Sequence, residues 1–94
     1  RAWVAQDDKA AAAWYQIGRT SAVSGLQLQE GIDALQKYLG LPHASNDPPS
    51  KNAYHRLGQI YAKLGKKVEA KAALQAALKL DPKFEDAKTE LGKL

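Results

Sequence analysis

Apolar and small residues between Asn52 and Pro82 recur with the period of an α-helix. One helical face is occupied at i, i+3, i+4 and i+7 by Tyr54, Leu57, Gly58 and Tyr61. Gly65 follows, and glycine takes the left-handed conformation that ends a helix. A second periodic run contains Ala70, Leu74, Ala77 and Leu78 before the stop at Pro82. The pattern predicts an antiparallel helix hairpin whose small residues allow the two helices to approach closely.

The order of these residues resembles a tetratricopeptide repeat, a helix–turn–helix unit of about 34 residues. The resemblance rests on Tyr54-x2-Leu57-Gly58-x2-Tyr61, Gly65, Glu69-Ala70, Leu74, Ala77-Leu78 and Asp81-Pro82. Tyr54 stands where that family most often has Trp, and Leu74 stands where it often has Phe or Tyr. For the whole chain the resemblance implies an all-α fold, a right-handed α-solenoid of antiparallel helix hairpins.

Degenerate copies of the pattern flank the best repeat. The upstream copy has the spaced residues Trp14, Ile17, Gly18 and Ser21, followed by Gly25, Gly31, Leu35 and Tyr38. Gly18 and Gly58 are 40 residues apart, which exceeds the usual period, and the excess falls in the turn-rich stretch 42–50. Downstream, Leu91-Gly92 begins a third copy, so we expect the chain to be a slice through a longer array.

We therefore expect one domain over residues 1–94. Residues 1–6 are the tail of a preceding repeat or an extension, 7–43 a degenerate repeat and 44–50 an inserted Pro-rich loop. Residues 51–84 are the well-formed repeat, and 85–94 the first helix of a third repeat or a cap. Five helices are predicted, over about 8–24, 27–40, 51–64, 67–80 and 84–94, with Ser50 as the N-cap of the third.

Composition narrows the function classes. The chain lacks cysteine, which excludes disulfides and thiolate metal sites, and it lacks an apolar run long enough for a transmembrane helix. No phosphate-binding glycine motif is present, and His43 and His55 do not have metal-ligand spacing. We expect no enzyme, no cofactor and no metal. A soluble protein is predicted, with cytoplasm and bacterial periplasm both open.

Positive charge is concentrated in the second half. Residues 1–50 carry four Lys/Arg and five Asp/Glu, whereas residues 51–94 carry ten and five, giving −1 and +5. This asymmetry favours an acidic partner. Nucleic acid is the weaker interpretation, because the aromatic residues belong to the predicted core and leave no stacking platform beside the lysines.

The resemblance also implies a binding groove, because the first helix of each hairpin lines it in tetratricopeptide proteins. The residues that would line it are Tyr15, Arg19, Ala22, Asn52, His55, Gln59 and Ala62, with Arg56 and Lys63 at its edge. Arg19, Asn52 and Arg56 are suited to gripping a carboxylate. The family's carboxylate clamp for chaperone tails is not expected, because Tyr15 replaces its first lysine and Asp86 and Glu90 occupy later basic positions.

Three functions remain open at this point. The first is a scaffold that binds a peptide or helical segment of a protein partner in the groove. The second is an accessory domain of a larger enzyme or of an envelope or secretion assembly protein. The third is self-association, because a short array leaves apolar end faces that another copy would cover.

Overall fold

The computed structural model describes residues 8–41 and 49–94, with side chains from Ala12 onward. Its described part is all-α, without strands, and contains α1 Asp8–Ser24, α2 Leu28–Gly40, α3 Ser50–Lys63, α4 Lys67–Leu80 and α5 Glu85–Gly92. The predicted all-α class and the five helices are confirmed. The predicted tail 1–6, Asp7, His43 and most of the inserted loop 44–50 lie outside the described residues.

Helices that are adjacent in sequence form the closest pairs. α1 packs on α2 and α3 packs on α4, while α3 also contacts both helices of the first pair. α5 packs mainly on α4 and also reaches α3. The turns within the two pairs contain Gly25 and Gly65 at φ +76° and +79°, a conformation that glycine adopts without a Cβ clash.

Gly18 and Gly58 allow close contacts between the helices of each pair. A Cβ built on Gly58 would lie 2.6 Å from Leu74 Cγ, and one built on Gly18 would lie 2.2 Å from Leu35 Cγ. Leu35 and Leu74 are among the largest fully buried side chains. Each leucine of a second helix therefore fills the space that the glycine of the first helix leaves.

The first hairpin has small residues at two positions where the second hairpin has larger ones. Ser21 occupies the position that corresponds to Tyr61, and Gly31 occupies the position that corresponds to Ala70. A Cβ built on Gly31 would meet Ser21 Cβ at 2.5 Å, so α1 and α2 approach here because both residues are small. The Ser21 hydroxyl is buried and donates to the carbonyl oxygens of Leu26 at 2.7 Å and Gln27 at 2.9 Å, which fixes the turn.

Buried side chains form two clusters. The larger one joins α1, α2 and α3 and reaches α4 through Ala73, whereas the smaller one joins α4 and α5 around Leu74, Ala77 and Ala87. Trp14, Tyr54 and Tyr61 are half-buried at the edges of these clusters. They pack against the core, in agreement with their predicted structural role.

The two hairpins differ at one matched position, and one expected helix cap is wrong. Ile17 is 46% exposed although Leu57, at the corresponding position of the second hairpin, is buried. Leu57 has the first hairpin to pack against, and no described element precedes α1 to cover Ile17. Ser50 is the first residue of α3 rather than its N-cap; the cap is Pro49, which has extended backbone angles and makes no side-chain cap bond.

Candidate protein-interaction face

Polar side chains connect the first helix of the second hairpin to α5. Arg56 Nη1 donates to Gln59 Oε1 at 3.0 Å, and Gln59 Nε2 donates to Glu90 Oε2 at 3.1 Å. Asn52, Arg56 and Gln59 follow at i, i+4 and i+7, and all three are half-buried. They form one partly exposed polar stripe on α3 that continues onto α5.

His55 lies beneath this stripe and is only 6% exposed. Its Nε2 is 4.0 Å from Glu90 Oε2, beyond hydrogen-bond distance, and its ring meets Phe84 edge-on at 5.2 Å. Burial lowers the pKa of His55, and the Arg56 charge lowers it further, although Glu90 and Asp86 act in the opposite direction. The neutral imidazole is therefore a packing group between α3 and α5.

The start of α3 is tied to the end of α4 by an ion pair. Lys51 Nζ donates to Asp81 Oδ2 at 2.6 Å and lies 5.3 Å from the centre of the Phe84 ring. The hydrogen bond from Lys51 lowers the pKa of the Asp81 carboxyl, and the backbone N–H of Lys83 contributes in the same direction. These contacts hold the α4–α5 turn, and with it Phe84, against α3.

The structure separates the predicted groove residues into two groups. Arg19 is exposed, and Asn52, Arg56 and Gln59 are half-buried, so all four have surface from which a partner can be contacted. Tyr15, in contrast, is 5% exposed and its ring lies 5.4 Å from that of Tyr38.

Tyr15 and His55 therefore require correction, because both were expected to line the groove and both are buried. Ala22, also expected in the groove, is 2% exposed. Tyr15 belongs to the same buried cluster as Ala22, seven residues later, and Ala53 of α3. A residue at i+7 lies on the same side of a helix, so this side of α1 faces the core.

Glu90 is the contact residue that the sequence did not predict. It was noted only as an acidic departure from the carboxylate clamp, whereas its carboxylate accepts from Gln59 and faces His55. Sequence spacing gave no signal for this contact, because it joins residues 31 positions apart on two helices.

The described residues contain no group of three or more His, Cys, Asp or Glu side chains placed to hold a metal ion. None of the described helices has the length and apolar character that crossing a membrane requires. The polar stripe on α3 and α5 presents a row of hydrogen-bonding and charged side chains to a partner.

Comparison with known families gave one match. The sequence model of the family described as tetratricopeptide repeat matches residues 52–84, about a third of the chain. The comparisons with curated proteins and with solved structures gave no match. The matched segment contains all of α3 except its first two residues, the whole of α4, and the Gly58–Leu74 contact between them. Residues 52–84 of this chain are therefore a tetratricopeptide repeat.

Proposed function

We propose that the chain binds an extended or helical segment of a protein partner on the surface formed by the first helices of its hairpins. A tetratricopeptide repeat is in general a protein-interaction module. We define the first-helix face as five exposed or half-buried polar residues on α1, α3 and α5. Its members are Arg19, Asn52, Arg56, Gln59 and Glu90.

The hydrogen-bonded chain Arg56–Gln59–Glu90 is the observation that carries this proposal. It spans two helices and holds donors and an acceptor at fixed separations at the edge of solvent. Preorganised side chains lose less conformational entropy when a partner binds, so such a row is suited to recognition. Arg19 and Arg56 would meet acidic or carbonyl groups, and Glu90 would meet a donor of the partner.

The proposed module acts by binding and without chemistry. His55, the buried titratable group nearest the face, is neutral and packed between α3 and α5. In the domain arrangement we propose, the segments 7–43 and 51–84 are successive repeats of a right-handed stack, and 85–94 supplies the first helix of the next. An accessory role in a larger enzyme or assembly protein is compatible with the same binding surface.

Self-association is the second candidate, and one observation favours it. Ile17, Val23 and Leu26 are exposed on the first hairpin, and Ile17 and Leu26 share a surface depression. Light scattering tests this candidate directly. A dimer that dissociates on Ile17→Asp would support it, and a monomer at all concentrations would exclude it.

The binding proposal is tested with peptides selected from a random display library. The tightest selected peptide should lose at least about tenfold in affinity when Arg19→Ala and Asn52→Ala are combined, because each removes a charge-assisted or amide contact worth about 1 kcal/mol. Gln36→Ala with Lys83→Ala is the matched control, since it removes one amide and one cation from exposed positions outside the first helices. Equal loss in both double variants would refute the proposed face.

A further inference from the structure

The beginning of α4 displays an apolar side chain among lysines. Val68 is 80% exposed, the highest value among the large hydrophobic residues described. With Lys67 and Lys71 of α4 and with Leu91 and Leu94 it lines a depression of about 250 Å³. We call these five residues the lysine-rimmed depression.

The positive charge around this depression is not neutralised locally. Lys63 and Lys66 precede α4 closely, and they are exposed, as are Lys67 and Lys71. Within the part of the chain that the structure describes, these lysines form no ion pair. The nearest acidic residue in sequence, Glu69, lines a different depression together with Tyr54 and Tyr61.

We propose that the lysine-rimmed depression binds an acidic amphipathic helix of a protein partner. The apolar side chains of that helix would cover Val68, Leu91 and Leu94, and its carboxylates would meet the lysines. Burying apolar surface contributes affinity, and the charge complementarity sets partner choice and orientation. This site does not include the first-helix face, and neither proposal depends on the other.

A helix suits this site because the exposed residues of α4 next to the depression recur with helical spacing. Val68, Lys71, Gln75 and Lys79 lie at i, i+3, i+7 and i+11 on α4, and all four are exposed. A helix packed along α4 would therefore encounter the apolar contact first and further lysines after it. Leu91 and Leu94 supply the opposite wall.

A second copy of this chain is a poorer occupant. The exposed apolar residues of α1 and the following turn share their depression with Gln16, Thr20, Ser24 and Gln27, none of which is acidic. That surface offers no carboxylate to the lysines. Nucleic acid is also disfavoured, because the lysine-rimmed depression contains no aromatic ring on which a base would stack.

Fluorescence anisotropy with two synthetic amphipathic peptides tests the proposal. Both are about 18 residues long with leucine at i, i+3, i+4 and i+7; one carries Glu and the other Lys at its polar positions. The Glu peptide should bind the full chain, more weakly as salt rises, and the Lys peptide should not bind. Val68→Asp, and separately Lys67→Glu with Lys71→Glu, should each weaken binding at least tenfold.

Lys83→Glu is the control for charge, because it reverses one lysine at an exposed position beyond the other end of α4. It should leave binding of the Glu peptide within about twofold of wild type. The proposal is overturned if Lys83→Glu weakens binding as much as the Lys67 and Lys71 reversals, or if Val68→Asp has no effect. It is also overturned if Val68→Asp dissociates a dimer of this chain, or if an RNA oligonucleotide binds more tightly than the Glu peptide.

Discussion

Replacing Gly58 with alanine tests how the second hairpin is packed. The added Cβ would lie 2.6 Å from Cγ and 2.7 Å from Cδ2 of Leu74, well inside van der Waals contact. Leu74 is 1% exposed, so its branch point has little room to withdraw. Overpacking of this kind costs about 1–3 kcal/mol, whereas Ala is favoured over Gly inside a helix by about 1 kcal/mol. We expect a net loss of up to about 2 kcal/mol in the free energy of unfolding.

Gly40→Ala supplies the matched control. Gly40 is the last residue of α2, it is exposed, and an added Cβ would meet none of the described residues within 4 Å. The same substitution should therefore be neutral or stabilise by up to about 1 kcal/mol. Urea unfolding followed by circular dichroism at 222 nm measures the free energy of unfolding of both variants. Equal dependence of that free energy on urea concentration would show that the substitutions change stability and not the surface exposed on unfolding.

A double-mutant cycle with Leu74→Ala tests whether the clash with Leu74 causes the destabilisation by Gly58→Ala. Leu74→Ala alone should cost about 2–5 kcal/mol, and in that background Gly58→Ala should become neutral or stabilising, because the clashing atoms are gone. Trimethylamine N-oxide, added equally to all four proteins, keeps the weaker variants folded. The reasoning is refuted if Gly58→Ala stabilises the wild-type background as much as Gly40→Ala does.

Three further predictions concern single side chains. Because the pKa of His55 is lowered from 6.5 in the folded chain, the unfolded chain binds more protons than the folded chain as the pH falls through this range. The free energy of unfolding should therefore fall as pH drops from about 7.5 to 5.5, and His55→Gln should make that dependence on pH weaker. An unchanged pH dependence in His55→Gln would contradict the burial argument. Ser21→Ala should cost about 1–2 kcal/mol by urea unfolding, because it removes the buried hydroxyl that closes the α1–α2 turn; a neutral result would show that the turn holds without it. Lys51→Met should raise the pKa of Asp81 towards its ordinary range in an NMR titration, and an unshifted Asp81 would mean that the ion pair does not form in solution.

The hairpin elements were predictable because their signals are local. Helical periodicity, Gly65 and Pro82 lie within one short segment, and the structure places helices on both sides of that glycine as expected. The sequence also predicted that small residues let the two helices approach closely, and the structure shows Leu74 as the side chain that packs against Gly58. Short-range pattern thus determines the hairpin.

Burial across hairpins was less predictable, because it depends on which neighbour covers each residue. Ile17 and Leu57 have the same place in the pattern, yet only Leu57 has a described preceding hairpin to cover it. Tyr15 was assigned to an open groove by analogy, whereas α1 turns that side towards α2 and α3. The contact of Glu90 with Gln59 is set by how α5 packs on α3, which no spacing within either helix specifies.

Amide chemical-shift mapping is the most direct test of the proposed first-helix face. The isotope-labelled chain would be titrated with the tightest peptide selected from the random library. We predict that the largest shifts fall on amides of α1, α3 and α5, near Arg19, Asn52 and Glu90, and that they saturate together with one affinity. Shifts confined to α2 and α4, with the amides around Arg19, Asn52 and Glu90 unmoved, would contradict the proposal.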